Sequence, residues 1–275
     1  MNDITFAFLL TIIAGSATGL GGLAILFSKR TSKTFLSICL SFSAGVMLYI
    51  SFGEILLEAF EDLEYALGDG IGYLVATVAF FAGILLVAAI DKFVPHNEEV
   101  AELSEYTQGN SGEAVIQNDK QELKRTGVMA AIAIAIHNLP EGIVVFMAVL
   151  HDPALGLAIA LAIILHNIPE GIATAAPIYY STGSKAKAFL FAFGTGYVQP
   201  VGAFIAWFLM RNVFDDMEAA FGIAFAVVAG IMVYVAIHQL LPAAQKFGKH
   251  HVVMKWLFTG MAVMAVSLVA LEFIF

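Results

Sequence analysis

Charge is what this sequence has least of. Only 13% of its 275 residues are charged, and 60% are apolar. Soluble globular chains carry about 25% charged and about 45–50% apolar residues. The balance excludes a soluble domain and fits an integral membrane protein with many spans. Cysteine is nearly absent. Cys39 stands alone, so no internal disulfide staples the fold, and in its apolar run it reads as a small core residue. Basic residues are few, the net charge is −9, and no basic stripe exists, which argues against nucleic acid as a partner. No Lys or Arg precedes the first apolar run, whereas Lys29, Arg30 and Lys33 follow it. A cleavable signal peptide has its positive charge first. The first run is therefore expected to stay as a span.

What the chain does have is long apolar runs. Those able to cross a bilayer, at about 20 residues each, fall near 4–28, 34–59, 70–92, 126–150, 153–180, 186–210, 218–242 and 252–274. This predicts an all-α polytopic protein with eight transmembrane helices in a single transmembrane domain, residues 1–275. Loop charges orient it. All but one of the 13 basic residues lie between spans one and two, three and four, five and six, or seven and eight. Only Arg211 lies on the other face. The positive-inside bias puts both termini outside. The outer loops are acidic, with Glu61, Asp62, Glu64, Asp69, Asp152, Asp215, Asp216 and Glu218. Such a mouth concentrates cations. Residues 94–125 are polar and poor in aromatics, which predicts a flexible cytoplasmic loop. It opens on His96-Asn97-Glu98-Glu99, read mainly as solvated.

Two copies of one hexapeptide interrupt the apolar runs: His137-Asn138-Leu139-Pro140-Glu141-Gly142 and His166-Asn167-Ile168-Pro169-Glu170-Gly171. Polar clusters in hydrocarbon are costly and are functional candidates by default. In each copy His and Glu stand four apart, on one helical face, with Asn beside them. Both copies fall near mid-membrane on spans running in opposite directions, so they are expected to face one another. Pro140 and Pro169 lack an N–H and free the carbonyls of Ile136 and Leu165, kinking each helix. Alanine-rich flanks let the two helices approach. Two imidazoles, two carboxylates and neighbouring amides make a mixed nitrogen and oxygen site for a divalent first-row metal. Zinc suits it, and iron(II), manganese and cobalt fit as well. The alternative is a polar pair that only glues helices, which a duplicated cluster with an acid in each copy disfavours.

Other spans add candidates. Ser43, Met47, Glu54 and Glu58 share one face of span two. Met47 offers a thioether. Glu54 and Glu58 step from the acidic mouth toward the centre as an inlet path. Gln199-Pro200 marks a broken helix in span six, and His238, before Pro242 in span seven, is an outlet candidate. His151, in an outer turn beside Asp152, is a lesser candidate for meeting a metal. Gly15, Gly19 and Gly22 recur on one side of span one, where backbones can pack closely.

On HNLPEG, HNIPEG, FSAGVMLYISFGEIL in span two, the Asp91-Lys92 end of span three, VQPVGA and VYVAIHQLLP, the chain resembles the ZIP (Zrt/Irt-like) divalent metal transporters, and their bacterial ZupT group. The resemblance covers nearly the whole chain. It implies a 3+2+3 arrangement with inverted repeats, a homodimer in the bacterial inner membrane, and an elevator-like movement of spans one, four, five and six. It implies import of zinc, with iron, manganese, cobalt or cadmium as further cargo and no catalytic cofactor. Carried over by position, a first site is Met47, His137, Glu141, His166 and Glu170; a second is Asn138, Glu141, Asn167, Glu170 and Gln199. The family often has Glu where this chain has Gln199, which implies one strong metal and a weak or absent second. Two rivals remain at this point: a membrane-embedded metal-dependent hydrolase, although the H-E-x-x-H motif is absent, and a metal-sensing receptor.

Overall fold

The computed structural model describes residues 2–27, 33–91, 131, 134–136, 138–212 and 217–273. The loop expected at 94–125 and the predicted ligand His137 lie outside the described residues.

The described residues form helices and no strands. Backbone groups in hydrocarbon must be satisfied within their own segment, and a helix does this. Eight helical spans are long and apolar enough to cross a membrane. Span one is α1 (Asp3–Phe27). Span two is α2 (Lys33–Ile50), a π-helical turn (Ser51–Ile55) and α3 (Leu56–Leu67). Span three is α4 (Ile71–Asp91). Span four is α5 (Ile134–His151), and span five is α6 (Pro153–Thr182). Span six is α7 (Lys185–Gly196) and α8 (Val198–Asn212). Span seven is α9 (Met217–Tyr234), a π-helical turn (Val235–Leu240) and α10 (Leu241–Phe247). Span eight is α11 (His250–Glu272).

Local chemistry explains the boundaries. Asp152 caps α6 by accepting from the Ala154 N–H at 2.7 Å, and Pro153 follows where its missing N–H costs nothing. Gly183 ends α6 with φ of 65°, a conformation glycine takes without strain. Span six breaks at Tyr197, ahead of Pro200 rather than at it. Pro200 falls in the first turn of α8, the place where proline is tolerated. Pro169 does not end α6, which runs on to Thr182. In span seven the π turn ends two residues before Pro242.

Glycines show how the helices cross. A Cβ on Gly171 would overlap the Thr18 carbonyl oxygen, and one on Gly21 would overlap that of Ile168. So α1 and α6 touch backbone to backbone. The same contact recurs between α5 and α8. There Gly142 meets the Gln199 carbonyl and Gly202 meets that of Leu139. Between α1 and α7, Gly15 and Gly196 each meet the other's carbonyl. Outside this group, Gly45 and Gly260 join α2 to α11 against Leu257 and Phe42, while Gly230 and Gly83 join α9 to α4 against Phe80 and Val227. Each of these crossings has a partner in which span one exchanges with six, two with seven, three with eight, and four with five. That is a two-fold inverted repeat, written in backbone contacts. The π turns of spans two and seven obey it too.

Candidate functional site

The repeat axis runs between the two hexapeptides. Asn138 of α5 donates its amide N–H to the Thr195 carbonyl at 3.0 Å. Asn167 of α6 donates to the Ala14 carbonyl at 2.9 Å. These are one bond seen twice, α5 to α7 and α6 to α1. Each fixes its amide, because a backbone carbonyl can only accept. The amide oxygens are thereby turned away from these partners. Both are buried, and neither has a hydrogen-bond partner among the described residues.

The two acids and the His166 imidazole sit alongside. Glu141, His166 and Glu170 are fully buried. His166 Nδ1 lies 2.9 Å from the Ala162 carbonyl, so that nitrogen carries the proton. The other, Nε2, points at Glu141 Oε1 from 3.0 Å. Two ligands on a tetrahedral zinc, each at about 2.0–2.1 Å, are themselves about 3.3 Å apart. The Glu141–His166 pair stands close to that spacing. Gln199 donates from Nε2 to Glu141 Oε2 at 2.7 Å, and its own buried Oε1 has no hydrogen-bond partner among the described residues.

Three buried amide oxygens without donors are unfavourable as they stand, since each buried acceptor without a donor costs about 1–3 kcal/mol. All are hard or borderline donors to a cation.

The remaining predicted residues are distributed as follows. Ser43 of α2 is buried and donates to the His166 carbonyl at 3.3 Å, so it ties span two to the second hexapeptide. Met47 is fully buried one turn further along α2. Glu54 is half-buried within the π turn of span two. His238 lies exposed in the π turn of span seven, its ring 4.7 Å from that of Tyr234. Cys39 is buried and free. Glu58 sits one turn beyond Glu54 and meets a residue given little weight in the sequence. His151 Nε2 is 2.9 Å from Asp62 Oδ1, and its Nδ1 is 3.6 Å from Glu58 Oε1. The signal was the acidic spacing of Glu58 and Asp62 on one helix face. Their histidine partner comes from another span and has no sequence signature.

Thr18 was missed as well. It occupies the repeat position of Gln199, is fully buried, and its hydroxyl oxygen has no hydrogen-bond partner among the described residues. Only the internal symmetry reveals the correspondence.

A family described as ZIP Zinc transporter matches residues 4–268. The chain is similar to a zinc transporter ZupT of Clostridium perfringens, 46% identical over 277 aligned residues, covering 98% of this chain and 96% of the relative. A zinc transporter ZupT of Nitratidesulfovibrio vulgaris is 48% identical over 271 residues, covering 97% of each chain. One of Chlorobium chlorochromatii is 48% identical over 267 residues, covering 97% of this chain and 98% of the relative.

Proposed function

Because the chain belongs to the ZIP zinc transporter family, a family of multi-pass membrane transporters rather than enzymes, we propose that it imports zinc through the site between α5 and α6. The observation that supports this most is the buried Glu141–His166 pair, together with the buried Asn138, Asn167 and Gln199 amide oxygens that have no hydrogen-bond partner among the described residues. His137, Glu141, His166, Glu170 and Met47 hold the first ion. Asn138, Asn167 and Gln199 supply neutral oxygens for a second, weaker position. Low ligand charge favours release, and a transporter must release. Ligands bind deprotonated, so protonation of Glu and His assists unloading.

Cation enters past Glu58 and Glu54, from the end that the loop charges place outside, and leaves toward His238 and the cytoplasm. Iron(II), manganese, cobalt and cadmium fit the same donors. An apolar crevice of about 370 Å³ between α4 and α9 on one side and α5 and α8 on the other has no hydrogen bonds to break, which suits sliding of the hexapeptide helices past the rest.

Uptake of radioactive zinc into proteoliposomes tests the reading. Accumulation that requires the chain is expected. Binding without accumulation would make the chain a sensor instead. A second test concerns Gln199. Gln199→Glu adds a carboxylate to the weaker position and is expected to raise bound zinc from one toward two ions per chain in equilibrium dialysis. An unchanged count would remove Gln199 from the ligand set.

A further inference from the structure

The geometry points to a second, separate divalent-cation site at the outer mouth, built from Glu58 and Asp62 of α3 and His151 at the end of α5. It takes its orientation from the reading above, and zinc as its probe, but none of its residues belongs to the mid-membrane site. One ligand atom from each of the three lies within 4.8 Å of the others. The donor set is two carboxylates and an imidazole, the mixture that first-row divalent metals and zinc accept.

Position places the cluster at the membrane surface. Span two runs from Thr34 to Leu67 without interruption. At about 1.5 Å per residue, Glu58 and Asp62 stand about 36 and 42 Å along it from Thr34, beyond a hydrocarbon core of about 30 Å. His151 is about 15 Å along α5 from Glu141. An ion held here is therefore outside the transport site and upstream of it.

Charge and packing point the same way. Asp62 is only 8% exposed, so its carboxylate is largely removed from water. Glu61 and Asp152 stand close enough to Glu58 to add to the negative field. Arg211 is the one basic residue that the sequence places at this end, and it lies over Trp207 at 5.7 Å. The ring of His151 is held edge-on against Phe221, with centroids 5.2 Å apart, and packs near Phe225. It is thereby aimed at the acids. Its Nδ1 is buried and has no hydrogen-bond partner among the described residues. The 3.6 Å gap to Glu58 Oε1 is too long for a hydrogen bond and near the separation of two ligands on one ion.

Three protein ligands leave a zinc position open to water, as in sites where the bound species exchanges. The cluster suits capture and hand-on rather than storage. It also joins α3 to the α5–α6 turn, so an ion bound here links span two to the hexapeptide spans.

Equilibrium binding of radioactive zinc to the purified full chain in detergent tests this. The background is Glu141→Gln with Glu170→Gln, which removes the mid-membrane acids. That variant is expected to keep one exchangeable zinc ion per chain. Adding His151→Gln or Glu58→Gln should weaken its binding at least about 10-fold, and His151→Asp should restore it. Loss of all zinc from the background variant, or unchanged binding after both His151→Gln and Glu58→Gln, overturns the proposal. Should the background variant aggregate, the wild-type chain serves: His151→Gln should lower its bound zinc by one ion, and an equal count overturns the proposal. In proteoliposomes His151→Gln should raise KM several-fold with kcat unchanged. Full uptake by the background variant would overturn the mid-membrane site while leaving this one standing.

Discussion

Glu141→Ala is expected to cut zinc uptake into proteoliposomes by about 100-fold or more, and His166→Ala to do the same. Glu141 is the hub of the proposed site. One carboxylate oxygen faces His166 Nε2 at 3.0 Å and the other accepts from Gln199 at 2.7 Å. Alanine removes the charge that a divalent ion needs in hydrocarbon and orphans the Gln199 amide as well. Folding should survive. Neutral His166 keeps its bond to the Ala162 carbonyl, and removing a buried charge also removes its desolvation cost. A monodisperse gel-filtration peak checks that point. Normal uptake by both variants would sink the site assignment. Glu141→Gln separates charge from volume: it should fail nearly as badly, because it conserves shape and loses only the anion.

The number of spans was legible because hydrocarbon imposes it. A bilayer demands apolar runs of a set length, and composition shows them directly. The hexapeptides were legible for the converse reason, since polar groups stand out where few are tolerated. Asn138 and Asn167 could be named from sequence, but not their partners. Their bonds go to the backbone of Thr195 and Ala14, and a carbonyl carries no sequence signature. The same limit hid the partners of His151. Its acids repeat along α3, while the histidine arrives from another span through tertiary packing. Span two runs to Leu67 rather than stopping at the end of its apolar run near 59. The extension is amphipathic, and burial of Ala59, Asp62 and Leu63 within the bundle replaces lipid as its solvent. Gly15, Gly19 and Gly22 do form a close-packed stripe, facing Gly196, Phe193 and Ala192 of α7. The glycine of span one that touches the second hexapeptide is a different one, Gly21. Periodicity along one helix finds a face; only the crossing geometry says which residue meets the backbone.

That crossing geometry carries the second large effect. Gly171→Ala and Gly142→Ala are expected to destabilise the protein severely and to similar degrees. A Cβ at Gly171 would overlap the Thr18 carbonyl oxygen, and one at Gly142 that of Gln199. The obstacle in each case is backbone, which cannot rotate aside as a side chain can. Relief requires α6 to move off α1, or α5 off α8. Either shift pulls an amide from its carbonyl, Asn167 from Ala14 or Asn138 from Thr195. Overpacking of this kind costs about 3 kcal/mol, toward the upper end of what inserted methylenes cost, before the hydrogen bond is counted. Gly194→Ala is the control. Nothing lies within 4 Å of a Cβ there, and alanine in a helix is favoured over glycine by about 1 kcal/mol. It should leave the melting temperature in detergent unchanged or slightly raised, while the two motif variants lose the folded peak many degrees earlier. Equal melting of all three would show that the helices are not pressed together at the hexapeptides. A large loss at only one of the two would break the repeat symmetry on which the pairing of α1 with α6 and α8 with α5 rests.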